Sequence, residues 1–247
     1  DSGAEYPNAI AARYNFPFTD PDLAATAPGV RIGLVEPGQG SALPGGGSGT
    51  FDELLHAYRE AAGITTPLPH TITVAPGGQA FSDAGERSMD VGIVTTVDPN
   101  ARIILYAGSG SAHGARADAF TAYQAAVWDT VNHPDVVSSS FRSYPYVSPG
   151  SPFAIAASEL YVDAALRNIT MVNAAGDGGS GDEYANGLTN VSVTHMSPFS
   201  VVVGGGSLNT IASADADKTL TRILDKALAG DPATIWQMVN GGLKVMP

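Results

Sequence analysis

Glu86 and Asp90 stand four residues apart in the stretch GERSMDVGIV, residues 85–94, where the pattern reads as a helix, so their carboxylates share one face. Like charges at this spacing weaken a helix by roughly 0.2–0.5 kcal/mol, so helix stability gives no motive for the pair. Arg87, three before Asp90, offers an ion-pair explanation. On a helical wheel, however, the two acids line up with Val94, beside a Met89, Ile93, Val97 stripe that is expected to face the core. Carboxylates held there are partly buried, and neighbouring buried carboxylates share protons, which suits general acid–base chemistry. Structural ion pairs perturb carboxylates too, so the spacing alone leaves both readings open.

The chain around this pair has 247 residues, of which 44% are hydrophobic and only 15% charged, enough to bury a large core in one domain. Twenty-four acids against twelve Lys and Arg give a formal charge of −12, which argues against nucleic acid and against an anionic membrane surface as partners. With no Cys there is neither a disulfide framework nor a thiol nucleophile, and the redox compartment stays undetermined. No apolar run approaches the ~20 residues of a membrane span. A start at DSGAEYP, without Met or a leader, reads as a mature form.

Short apolar runs alternate with helical stretches, the signature of a parallel sheet covered on both faces. VRIGLVE (30–36), TITVA (71–75), RIILYA (102–107), DVVSSS (135–140), ITMVNAAG (169–176) and FSVVVGG (199–205) read as strands. Residues 50–63 form a helix that opens with Thr50 and Glu53 in capping-box spacing and closes at Gly63. Residues 116–133 and 152–168 are two more, and LPGGGSGT (43–50) is a loop. After about residue 208 the pattern gives two amphipathic helices around a Gly-Asp-Pro break and no further strand. Such a domain ordinarily returns to its sheet, so the expectation is that it continues past Pro247.

The Gly-rich loops do not bind nucleotide: Gly38 and Gly40 lack the third glycine of a dinucleotide fingerprint, and GGGSGT lacks the P-loop Lys. In NAAGDGGSGDE, Asp177 follows a strand at the end where open α/β sheets place their sites. It is either a functional carboxylate, an Asx turn, or part of a cation loop with Asp182 and Glu183. The five histidines, His56, His70, His113, His133 and His195, show no metal-ligand spacing and read as surface or packing residues. Asn168-Ile-Thr and Asn190-Val-Ser match the glycan acceptor pattern.

The order of the pieces is more specific than any one of them. YNFP, a strand ending in Glu36, the GE-x-x-x-D helix, DVVSSSF, the AAGDGG turn and SPFSVVVGGGSL follow one another from about Tyr6 to Leu208. This combination resembles the sedolisins, serine-carboxyl peptidases, most of all their kumamolisin branch. The resemblance implies a subtilisin-like, doubly wound, mostly parallel sheet with helices on both faces, in a single catalytic domain whose N-terminal part is residues 1–247. It implies Glu86 as general base for a serine, Asp90 as its orienting partner, Asp177 completing the oxyanion hole, and Glu36 extending the carboxylate network. A carboxylate base implies acidic working conditions, because a histidine base would be protonated there.

The family's S-W-G-G segment reads Ser140, Phe141, Arg142, Ser143 here, so an aromatic remains at the substrate-binding position while the glycines are gone. The family's serine and its calcium ligands lie toward the C-terminal end of the domain, beyond Pro247, and Ser48-Gly49-Thr50 stands in the wrong order to replace the serine. The resemblance therefore implies a C-terminal companion segment or chain, a peptide or protein substrate, calcium held outside this chain, and export to an acidic environment. A non-catalytic peptide-binding relative and a carboxylate-lined cation-binding domain are the competing readings.

Overall fold

A computed structural model describes residues 5–17, 29–36, 51–65, 72–74, 84–107, 115–141, 148, 150–176, 195, 197–205, 209–210, 218–240 and 245–246. They belong to two compact units, Asp1–Gly204 and Gly205–Pro247.

The first unit is built on six strands: β1 (Arg31–Val35), β2 (Ile72–Val74), β3 (Arg102–Tyr106), β4 (Val136–Ser139), β5 (Thr170–Ala174) and β6 (Ser200–Val203). Every pairing is parallel, in the order β2-β3-β1-β4-β5-β6. All six strands expected from the sequence are present, each shorter by a residue or more. The helices are α1 (Pro7–Arg13), α2 (Phe51–Ala61), α3 (Ala84–Val97), α4 (Ala115–Trp128) and α5 (Pro152–Leu166). α1 has no signal in the hydrophobic pattern, because none of its residues is buried.

Successive strand residues face opposite ways, and two cores result. Leu34, Ile103 and Leu105 pack with Leu55 of α2 and Val91 of α3. Val35, Ile104, Tyr106, Val137 and Met171 pack with Ala119, Ala122, Tyr123 and Ala126 of α4 and Leu160, Tyr161 and Ala164 of α5. The alanines let α4 lie close on the sheet. Gly33 is required by Tyr106: a Cβ there would meet the Tyr106 ring at 2.9 Å. The Tyr106 hydroxyl then reaches Asp129 Oδ2 at 2.9 Å.

α3 differs from expectation in the face it buries. Met89 and Ile93 are 50% and 41% exposed, whereas Arg87, Val91, Thr95 and Thr96 are buried. The Thr95 and Thr96 hydroxyls fold back onto helix carbonyls at 2.7 Å (Val91) and 2.9 Å (Gly92), so two polar residues enter the core without orphaned groups. Gly92 lies under the Tyr58 ring of α2. The hydrophobic wheel failed because satisfied threonines fill positions that apolar residues would otherwise hold.

The strand starts at the amino edge are tied by a fork. Arg31 Nε and NH2 meet Asp135 Oδ2 and Oδ1 at 3.1 and 2.6 Å, and the Arg31 amide donates to Oδ2 at 3.0 Å.

The second unit contains helices α6 (Lys218–Leu228) and α7 (Pro232–Asn240), as the sequence pattern indicates. Asp231 caps α7, accepting from the Thr234 amide at 3.1 Å. Two short strands, β7 (Asn209–Thr210) and β8 (Val245–Met246), pair in parallel, which corrects the expectation of no strand beyond residue 208. No described helix is long and apolar enough to cross a membrane.

Candidate active site

From β1 the chain crosses to the sheet edge at β2, returns to β3 beside β1, and then passes to the other side of β1 for β4, β5 and β6 in succession. The switch lies at β1, and in such sheets the crevice at the carboxyl ends there is the natural site. Glu36 is the first residue after β1, its amide bonded to the Tyr106 carbonyl at 2.9 Å. Alternation sends positions 32, 34 and 36 to the α3 side, which brings the Glu36 side chain toward Asp90 and Arg87.

Glu36 is 1% exposed, and as placed neither of its carboxyl oxygens makes a hydrogen bond with a described residue. Its pKa is pushed up to about 10, by burial first, then by the nearby Asp90 charge and by a proton-sharing approach to Asp90, with Glu86 adding to the push and Arg87 opposing it. The two carboxyls are close neighbours. Asp90 is half-buried and its pKa is raised by burial, against which the Ser140 hydroxyl, donating to Asp90 Oδ2 at 2.9 Å, favours the ionised form. Arg87, 6% exposed, has its pKa lowered by burial, with the Glu36 charge working the other way. Carboxyls this close favour a shared proton, and it settles on Glu36, the buried member.

The structure thus brings together Glu36, Glu86, Asp90 and Ser140. Register explains the last of these. Leu34 pairs with Ser138, so Ser138 and Ser140 share the α3 side of the sheet while Ser139 points to the α4 side. Phe141 packs its ring against the α4–α5 core. Its carbonyl accepts from the Tyr123 and Ser139 hydroxyls, both at 3.0 Å, and its amide donates to Ser139 Oγ at 3.0 Å. Both backbone groups of Phe141 are therefore occupied internally. Asp177, Asp182 and Glu183 lie outside the described residues, as do His70 and His113. Gly176, the residue before Asp177, has φ 109°, which only glycine adopts without strain.

Sequence reasoning missed a buried polar group on the other face, comprising Tyr123, Asn173 and His195. Asn173 was the available signal: an amide in the middle of an apolar strand must have a partner.

These elements define a subtilisin-like α/β domain with a carboxylate cluster at its switch point. No family profile matches the chain. Kumamolisin from Bacillus sp. (strain MN-32) is 31% identical to it over 188 residues, 74% of this chain and 33% of kumamolisin. A solved structure of Pseudomonas sedolisin, a serine-carboxyl proteinase complexed with two molecules of pseudo-iodotyrostatin, superposes with a TM-score of 0.58 at 19% identity, covering 85% of this chain and 56% of that one. The chain belongs to the sedolisin family. It spans about a third of the length of kumamolisin.

Proposed function

We propose that this chain carries the acid–base half of an acid-acting serine-carboxyl peptidase site, an endopeptidase or tripeptidyl-peptidase, with the nucleophilic serine on a C-terminal segment or companion chain. The observation that carries the reading is the Glu36, Glu86, Asp90 cluster at the carboxyl edge. Glu86 accepts the serine proton as Oγ attacks the peptide carbonyl, and returns it to the leaving amine when the tetrahedral intermediate collapses. A second transfer through Glu86 activates the water that releases the acyl group. Asp90 orients Glu86, and neutral Glu36 lowers the charge crowding behind it. Asp177, protonated in acid, donates to the oxyanion. The substrate is a peptide or protein, and acidic surroundings outside the cell are the setting in which such a base works. Calcium would be held by residues outside this chain, and no step here uses it.

The test uses the full-length protein with a fluorophosphonate probe and a peptide substrate at acidic pH. Glu86→Gln is expected to lower turnover by at least about 100-fold with an unchanged thermal transition. The labelled serine is expected outside residues 1–247. A label on Ser140, which already donates to Asp90, would move the nucleophile into this chain. Neither label nor hydrolysis at any pH would favour the non-catalytic peptide-binding reading.

A further inference from the structure

Beneath the carboxyl edge, on the face covered by α4 and α5, the Tyr123, Asn173 and His195 group has no part in the chemistry above. Tyr123 is 1% exposed, and its hydroxyl lies 3.0 Å from the Phe141 carbonyl, 2.8 Å from Asn173 Oδ1 and 3.5 Å from His195 Nε2. His195 is 0% exposed. Its Nδ1 is 3.0 Å from the Ala174 carbonyl, and its own carbonyl accepts from the Ser200 hydroxyl at 2.9 Å and the Ser197 amide at 3.0 Å. The Tyr161 ring packs edge-on against Tyr123, centroids 6.3 Å apart.

The hydrogens in this group are determined by its acceptors. The Ala174 carbonyl can only accept, so His195 Nδ1 carries a proton and donates to it. Tyr123 has one hydrogen for two facing oxygens. The Asn173 Oδ1 at 2.8 Å and the Phe141 carbonyl at 3.0 Å share it, with His195 Nε2 3.5 Å away. One hydroxyl from α4 then joins Phe141, two residues past β4, to Asn173 near the end of β5, and one imidazole ties the last residue of β5 to the approach to β6. Burying these groups is costly unless they specify an arrangement that apolar packing would leave loose.

We propose that Tyr123, Asn173 and His195 are positioning residues that fix the loops after β4 and β5 against each other. Ser140 precedes Phe141, whose carbonyl Tyr123 holds. Asp177 comes three residues after Ala174, whose carbonyl His195 holds. The group thus sets the separation between the Ser140–Asp90 bond and residues 174–176, which precede Asp177 in the chain. Its effect on turnover rests on the peptidase reading; the geometric lock does not.

The test is made on the full-length protein by amide hydrogen exchange and by steady-state kinetics. Tyr123→Phe keeps the ring and removes the shared hydroxyl. His195→Phe removes the donor to Ala174, and His195→Asn restores an N–H close to the Nδ1 position. Tyr123→Phe is expected to speed exchange over residues 139–141 and 174–176 by about tenfold while β1 and β3 are unchanged, and to lower kcat by about tenfold or more with KM within about twofold. His195→Phe is expected to do the same at 174–176, and His195→Asn to recover most of the protection. Should His195→Phe fail to fold, Tyr123→Phe and His195→Asn still decide the matter. Unchanged exchange at both loops in Tyr123→Phe, or a uniform rise across the sheet, overturns the proposal. Local loosening in a wild-type protein that hydrolyses no peptide sustains the lock and removes the peptidase reading.

Discussion

At Glu36 burial and two neighbouring acids act in the same direction, and the result is a carboxyl group that stays neutral where free glutamate ionises. Its folded-state pKa of about 10 lies above the ordinary value of 4.5. The native protein therefore keeps a proton that the unfolded chain has released, and this contribution to stability, fully present below about pH 4.5, is lost as pH rises toward about 10. Glu36→Gln keeps the shape of the neutral acid. Thermal melts are expected to show it equal to wild type at pH 4 and more stable at pH 8, by on the order of 2 kcal/mol; equal stability at both would mean that Glu36 ionises freely. Residues of this kind are only partly legible in sequence. The i, i+4 spacing of Glu86 and Asp90 announced a pair, but the depth of Glu36 followed from strand parity and from the helix that lands on it. The Ser140 bond to Asp90 needed the β1–β4 register, which no local pattern encodes.

Among the elements, the strands were the most readable, because fully buried parallel strands are written as short apolar runs bounded by turns. α3 was read as a helix over 85–94, within the observed Ala84–Val97, but with the wrong buried face. Hydrophobicity points a helix only when apolar residues hold the contact, and here Arg87, Thr95 and Thr96 hold much of it. The two ends of the sheet differ in how they tolerate change. Gly33→Ala drives a methyl group into the Tyr106 ring and is expected to cost about 1–3 kcal/mol in urea denaturation. Arg31→Ala cuts the fork to Asp135, whose side chains are 40% and 45% exposed, and is expected to cost less than about 1 kcal/mol. The reverse ranking would mean that strand entry, rather than strand packing, holds the central pair together.

For the whole molecule, the chain matches a third of kumamolisin, and Val201 and Val203 of β6, with Phe199 just before it, are half-exposed among the described residues. Expressed by itself, the segment is expected to self-associate and to lack acid peptidase activity; a monomer with a sharp cooperative melt, by sedimentation and calorimetry, would argue against any partner. The expectation of a partner segment came only from the family resemblance, since no local pattern carries it. The neutral Glu36 bears on the molecule as a whole in another way. The formal charge of −12 counts every acid as ionised, so a protonated Glu36 makes the folded chain less negative than that figure around neutral pH. When it opens, the stored proton is delivered to the solvent. Unfolding near neutrality is thus an acidifying event, its heat depends on the buffer that takes up the proton, and an acidic medium opposes it by mass action.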